Sequence, residues 1–105
     1  GIFTRILSMG GAFDPSRFLS GYYDQDCYFN LPTHYMPNMR DGRYLDLYRR
    51  NTCILATAVN DMCREVNQQM AHILHGAEIP CRLDVWGDNA GHDWATWQRM
   101  MQAYL

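Results

Sequence analysis

The chain has 105 residues, 48% of them hydrophobic and 13% aromatic, with a formal net charge of −2. That is enough apolar material for one small packed domain, and it excludes a disordered chain. The charge gives no electrostatic reason to expect nucleic acid or an anionic membrane surface as a partner. The nine basic residues are all Arg, a compositional bias without a functional reading. Cys27, Cys53, Cys63 and Cys81 show no C-x-x-C spacing. They read as free thiols of a reducing, cytoplasmic compartment. No apolar run reaches membrane-spanning length and no secretory signal is visible. The first residue is Gly1, inside an apolar run, which suggests a processed, trimmed or partial sequence.

In chain order, residues 2–9 read as a mostly buried strand ending at Gly10-Gly11. Asp14-Pro-Ser-Arg-Phe-Leu19 reads as a short helix with Asp14 as N-cap and Pro15 in the first position. Residues 21–41, rich in Tyr, Asn, Asp and Pro, form a long ordered excursion with one or two helical turns. Tyr44 to Arg50 is a short helix. Thr52-Cys-Ile-Leu-Ala-Thr57 is an apolar run suited to a strand covered on both faces.

From Asp61 to His75 the period is helical, with Met62, Cys63, Val66, Met70, Ile73 and Leu74 on one stripe. Asn60 or Asp61 would cap its start and Gly76 stop it. His72 and His75 fall on the polar face, where a solvated role is the default. Residues 82–86 alternate as a strand, and Gly87-Asp-Asn-Ala-Gly91 is a turn. The last helix, 93–105, places Trp94, Trp97, Met100, Met101, Tyr104 and Leu105 on one side, a pattern typical of core. The last four elements alternate βαβα, which implies parallel strands joined by right-handed crossovers.

Two residues stand where open α/β sheets do chemistry. Asp61 follows the strand 52–57, and His92 follows the strand 82–86. Neighbouring parallel strands would bring both to one carboxyl edge. An acid followed by a histidine is the order of the second and third members of an α/β-hydrolase triad. Helix capping by Asp61, and a surface or capping role for His92, fit the same positions.

A resemblance adds to this. The segments Asp14-Pro-Ser-Arg-Phe-Leu, Gly21-Tyr-Tyr-Asp, Cys27-Tyr-Phe-Asn-Leu-Pro, Tyr44-Leu-Asp-Leu-Tyr-Arg-Arg, Ile54-Leu-Ala-Thr, Asn60-Asp-Met-Cys and Leu83-Asp-Val-Trp-Gly-Asp-Asn-Ala-Gly-His-Asp-Trp resemble the carboxyl-terminal part of an esterase family. That family has the α/β-hydrolase fold and is related to esterase D. The likeness spans nearly the whole chain, and the Gly-His-Asp-Trp box is its most specific part. It implies that His92 is a triad histidine and Asp61 the acid. The family's nucleophile elbow, G-x-S-x-G, has no counterpart here. Ser8-Met9-Gly10-Gly11 imitates its second half, but Ile6 stands at the first Gly and no long helix follows. Ser8 is therefore a decoy, and Ser16 and Ser20 have weaker claims.

The expectation is an α/β fold: a partial α/β-hydrolase of about three parallel strands with flanking helices, residues 1–105 forming the carboxyl-terminal portion of the domain. Its function would be carboxylic-ester hydrolysis on a small ester or acyl substrate. His92 and Asp61 would serve a Ser outside this chain, the aromatic excursion would help wall the pocket, and no metal or organic cofactor is implied. The isolated chain would be inactive. It would self-associate, or join a chain carrying the amino-terminal half. The rival class is a non-catalytic interaction module with vestigial triad residues. A metal site using His72, His75 and Cys63 is a more distant reading.

Overall fold

In the computed structural model, which describes residues 3–105, the sheet is built around β2 (Thr52–Ala58). Its sequence, TCILATA, is buried or half-buried from Cys53 onward. Both faces are covered, so no solvent side demands alternation. β1 (Arg5–Met9) pairs parallel to one edge of β2 and β3 (Cys81–Trp86) to the other, giving the order β1-β2-β3. Met9 lies opposite Ala56, Cys53 opposite Cys81, and Ala58 opposite Trp86.

Parallel neighbours require long crossovers. The first holds a 3-10 turn (Pro15–Phe18), α1 (Gln25–Asn30), α2 (Pro32–Tyr35), a second 3-10 turn (Met36–Asn38) and α3 (Gly42–Arg49). Asp14, Asp24 and Asp41 start three of these by accepting the backbone N–H of Ser16, Cys27 and Arg43. Each such cap contributes about 1 kcal/mol. The second crossover is α4 (Arg64–Gly76), which lays Met70, Ala71 and Leu74 on Cys53, Leu55 and Ile79 to form the core. Buried Asn67 donates to the carbonyls of Gly11 (3.0 Å) and Cys63 (2.8 Å), tying the helix to the end of β1. After β3, α5 (Trp94–Tyr104) starts at Asp93, whose Oδ1 accepts the Thr96 N–H at 2.7 Å. α5 returns across the sheet to β1, with Thr96 and Met100 buried.

Four expectations need correction. The strand expected over 2–9 as mostly buried is confined to Arg5–Met9, with Arg5 and Ile6 exposed; residue 2 lies outside the described residues. Apolar composition cannot distinguish an edge strand from a central one. Met62 is 65% exposed ahead of α4, so the buried stripe is Asn67, Met70, Ala71 and Leu74. Gly76 is the last residue of α4, and the left-handed conformation that ends the helix falls on Glu78 (φ 60°). Finally, Trp94 and Leu105 are 76% and 87% exposed, so only part of the last helix's apolar stripe is core. Among the described residues, no helix is long and apolar enough to cross a membrane.

Candidate functional site

Asp61 sits beyond the end of β2 and His92 beyond the end of β3. Because the strands are parallel and adjacent, both loops leave the same sheet edge. The loops are tied to each other: Val59 N–H donates to the Trp86 carbonyl (2.9 Å), and Asn60 Nδ2 to the Asp88 carbonyl (3.2 Å). Within the second loop, Ala90 N–H donates to the Gly87 carbonyl (3.0 Å), and Gly91 N–H to Thr96 Oγ1 (2.9 Å). This framework fixes where His92 emerges.

The result is a contact across 31 residues of chain: His92 Nδ1 lies 3.0 Å from Asp61 Oδ1. A carboxylate only accepts, so Nδ1–H is the donor, and in the neutral ring Nε2 carries the lone pair. The Asp61 side chain has no solvent exposure, whereas that of His92 retains 28%. The same Oδ1 accepts the N–H of Cys63 at 2.7 Å, closing a turn over residues 61–63 ahead of α4. Asp61 is therefore not the N-cap of α4; that position is Cys63, which makes no side-chain cap bond. The His92 ring stands edge-on to Trp97, centroids 5.0 Å apart, and Trp97 stands edge-on to Trp94 at 5.2 Å. Asp93 caps α5 next door, and its bonds from Thr96 hold its carboxyl below the usual range.

Gly10 closes the corner from β1. Its φ of 63° is in the left-handed region, and its N–H donates to the Ala56 carbonyl at 2.8 Å. A Cβ here would stand 3.0 Å from both Asp61 Oδ2 and His92 Nδ1, and 3.2 Å from Trp97 Nε1. Only glycine lets β1 approach the pair this closely. Asp61 Oδ2 and Trp97 Nε1 are both buried and without a hydrogen-bond partner among the described residues.

The other sequence candidates lie elsewhere. Ser8 lines an apolar cavity of about 240 Å³ with Phe13, Tyr35 and Leu55, and none of the site's hydrogen bonds involves it. His72 and His75 are exposed on α4, and His75 Nε2 pairs with the Cys81 carbonyl at 2.8 Å. Cys63 does not join them. Its sulfur, one His92 nitrogen and one Asp61 oxygen all lie within 4.8 Å of one another. Burial and the neighbouring Asp61 push the Cys63 thiol up, while Arg17 pulls it down. Sequence reasoning missed this convergence; the only signal was the Asp61-x-Cys63 spacing before the helix. A cavity of about 250 Å³ opens beside Cys63, lined by Asp14 to Phe18 and by Glu65, Val66 and Gln69.

These features define a small α/β unit of three parallel strands with an acid–histidine pair at its carboxyl edge. A scan against protein families and a search of the curated proteins each find no match. Among solved structures, the chain is similar to a ferulic acid esterase, with a TM-score of 0.77 at 19% sequence identity. The likeness covers 99% of this chain and 40% of that one, so the chain spans well under half the length of its structural neighbour. At this identity the likeness is one of fold: an esterase-like α/β arrangement.

Proposed function

We propose that the chain is the carboxyl-terminal portion of an α/β-hydrolase domain of the esterase D-related kind, supplying the acid and the base of a Ser-Asp-His triad. The observation that carries this reading is the 3.0 Å bond between His92 Nδ1 and the fully buried Asp61 carboxylate. Asp61 holds the imidazole in one tautomer and orientation, leaving Nε2 free. Nε2 takes the proton of a Ser from outside this chain as that oxygen attacks the ester carbonyl. The same nitrogen returns the proton to the departing alcohol, and water then repeats the cycle on the acyl-enzyme. The esterase-like fold supports the assignment. Free Cys27, Cys53, Cys63 and Cys81 fit a cytoplasmic setting.

The test uses the full-length protein and short p-nitrophenyl and feruloyl esters. His92→Ala is expected to lower kcat by several orders of magnitude, and His72→Ala or His75→Ala to leave it within a few-fold. Equal, mild losses in all three would remove His92 from the mechanism. The absence of a G-x-S-x-G elbow from these 105 residues favours a second reading, an interaction module with vestigial triad residues. Wild-type full-length protein without esterase activity would favour that reading.

The same proposal assigns a neighbour to β1. Its outer edge is unpaired among the described residues, and Phe3 and Ile6 are 75% and 47% exposed. An exposed apolar edge strand is a template for another strand. The amino-terminal half of the domain, or a second copy of this chain, would cover it. Sedimentation of the isolated chain at micromolar concentration is expected to show association that Ile6→Lys weakens. A monodisperse wild-type monomer would overturn this assignment.

A further inference from the structure

The corner beside β1 holds more than a proton relay. We propose that Asp61, Cys63 and His92 form a binding site for one divalent cation of the Zn²⁺ class, with water or a small ligand completing its coordination. Three different donor types converge there within 4.8 Å, and Asp61 and Cys63 are both buried. A site of one sulfur, one imidazole nitrogen and one carboxylate oxygen suits a borderline-soft cation; Mg²⁺ and Ca²⁺ take oxygen sets.

The carboxylate itself points to a ligand. Oδ1 already accepts two hydrogens, from Cys63 N at 2.7 Å and His92 Nδ1 at 3.0 Å, while Oδ2 accepts none and is buried. A buried carboxylate oxygen without a donor costs free energy that a cation would recover. Gly10 leaves room, since the nearest atom it could add would stand 3.0 Å from Asp61 Oδ2 and from His92 Nδ1. Of the three donors, the partly exposed His92 ring is the one open to solvent.

Metal bonds of about 2.0–2.3 Å place tetrahedral donors roughly 3.3–3.8 Å apart, so the widest pair must close by about 1 Å. The partly exposed His92 ring can supply that movement. Cys63 binds as the thiolate, releasing its proton to solvent, and the His92 Nδ1 proton moves to Nε2 so that Nδ1 can bind, giving up its bond to Asp61 Oδ1. The cation's two positive charges then meet one carboxylate and one thiolate, and the buried cluster is neutral. A metal-held imidazole is a poor base, so occupancy would compete with the hydrolytic role proposed above. The inference itself does not depend on that role.

The experiment is a Co²⁺ titration of the reduced, metal-free full chain, followed by displacement with Zn²⁺. One equivalent is expected to give tetrahedral d–d bands and a thiolate-to-Co²⁺ charge-transfer band, both lost on adding Zn²⁺. Cys63→Ser should abolish the charge-transfer band and Cys27→Ser should retain it. His92→Ala should weaken Zn²⁺ binding by at least roughly tenfold. If Cys63→Ser fails to fold by circular dichroism, His92→Ala, at a partly exposed position, decides by the same absorbance. Absence of the charge-transfer band in the wild type would overturn the site. So would its persistence in folded Cys63→Ser, or binding lost in His72→Ala but kept in His92→Ala.

Discussion

Among the described residues, two histidine–carboxylate pairs have nearly the same length and different surroundings. His92 and Asp61 meet at 3.0 Å; His34 and Asp14 meet at 3.2 Å. The histidines are equally accessible, 28% and 27% by side chain, but Asp61 is fully buried and Asp14 is 23% exposed. The ring nitrogens differ more. His34 spends both, Nε2 on Asp14 and Nδ1 on the Tyr23 hydroxyl at 3.0 Å. His92 spends Nδ1 alone, and its Nε2 has no hydrogen-bond partner among the described residues. The His34–Asp14 pair is a strut that joins the 3-10 turn at residue 15 to α2. The His92–Asp61 pair orients a ring whose far nitrogen is available. A short contact between histidine and carboxylate therefore identifies nothing until both nitrogens have been followed.

The two pairs should differ most at their histidines. In the full-length protein, His92→Ala is expected to cost several orders of magnitude in kcat and His34→Ala a few-fold, read as ester hydrolysis at saturating substrate. Comparable losses would mean that the spare nitrogen is not what separates the pairs.

At the carboxylates the readouts diverge. Asp61→Asn should lower kcat by roughly 10⁴-fold, because an amide offers Nδ1–H no comparable anion and can impose the wrong tautomer. Asp14→Asn should act on acid stability instead. Burial raises the Asp14 carboxyl, but bonds from Ser16 and the contact with His34 outweigh it, leaving the folded value below 3.8. A folded value below the unfolded one contributes stability that is present above 3.8 and lost as pH falls through the lower folded value. Thermal melts across pH 2–5, a range chosen to bracket that window on the order of one unit each side, should show a shallower acid loss in Asp14→Asn.

Gly10→Ala sharpens the contrast further. It forces a Cβ into φ 63°, at a cost of about 1–2 kcal/mol, and crowds Asp61, His92 and Trp97. Denaturant unfolding and hydrolysis should both suffer, while the Tyr23–His34 contact, followed by the His34 ring proton resonances, stays native. The smallest effect lies far from both pairs. Glu78→Gly should stabilise the chain by about 0.5–1 kcal/mol, since the exposed Glu78 carries φ 60° after α4 and its side chain makes no hydrogen bond or ion pair among the described residues. A chemical-denaturation midpoint that moves down would show that the Glu78 side chain contributes more than its backbone costs.

Much of this molecule could be read from residue order. The unbroken apolar run of β2 and the helical period of α4 pointed to a covered strand and its crossover. Parallel pairing then placed Asp61 and His92 on one edge by topology alone. What stayed hidden depends on contacts that a linear pattern does not carry. Cys63 reaches the pair because the 61–63 turn folds its N–H onto Asp61, whereas helical periodicity put it on the core stripe. Ile6 and Trp94 are apolar yet exposed, and composition cannot say what neighbour an apolar face awaits. Gly76 offered the helix its customary stop, but the chain turns two residues later, where Ile79 N–H reaches the Leu74 carbonyl at 2.9 Å.

The register of β3 on β2 has a kinetic side. Asp61 and His92 belong to loops that meet only when Ala58 has found Trp86, the last pair of the ladder. A slip of one residue along that ladder would displace the histidine by about 3.3 Å and turn alternate side chains to the wrong face. Pairings this remote in sequence form slowly, because loop closure must be completed before the contacts reward it. Competence at the sheet edge should therefore emerge as one of the final events of refolding. A stopped refolding reaction would contain chains with helical signal but no joined Asp61–His92 pair.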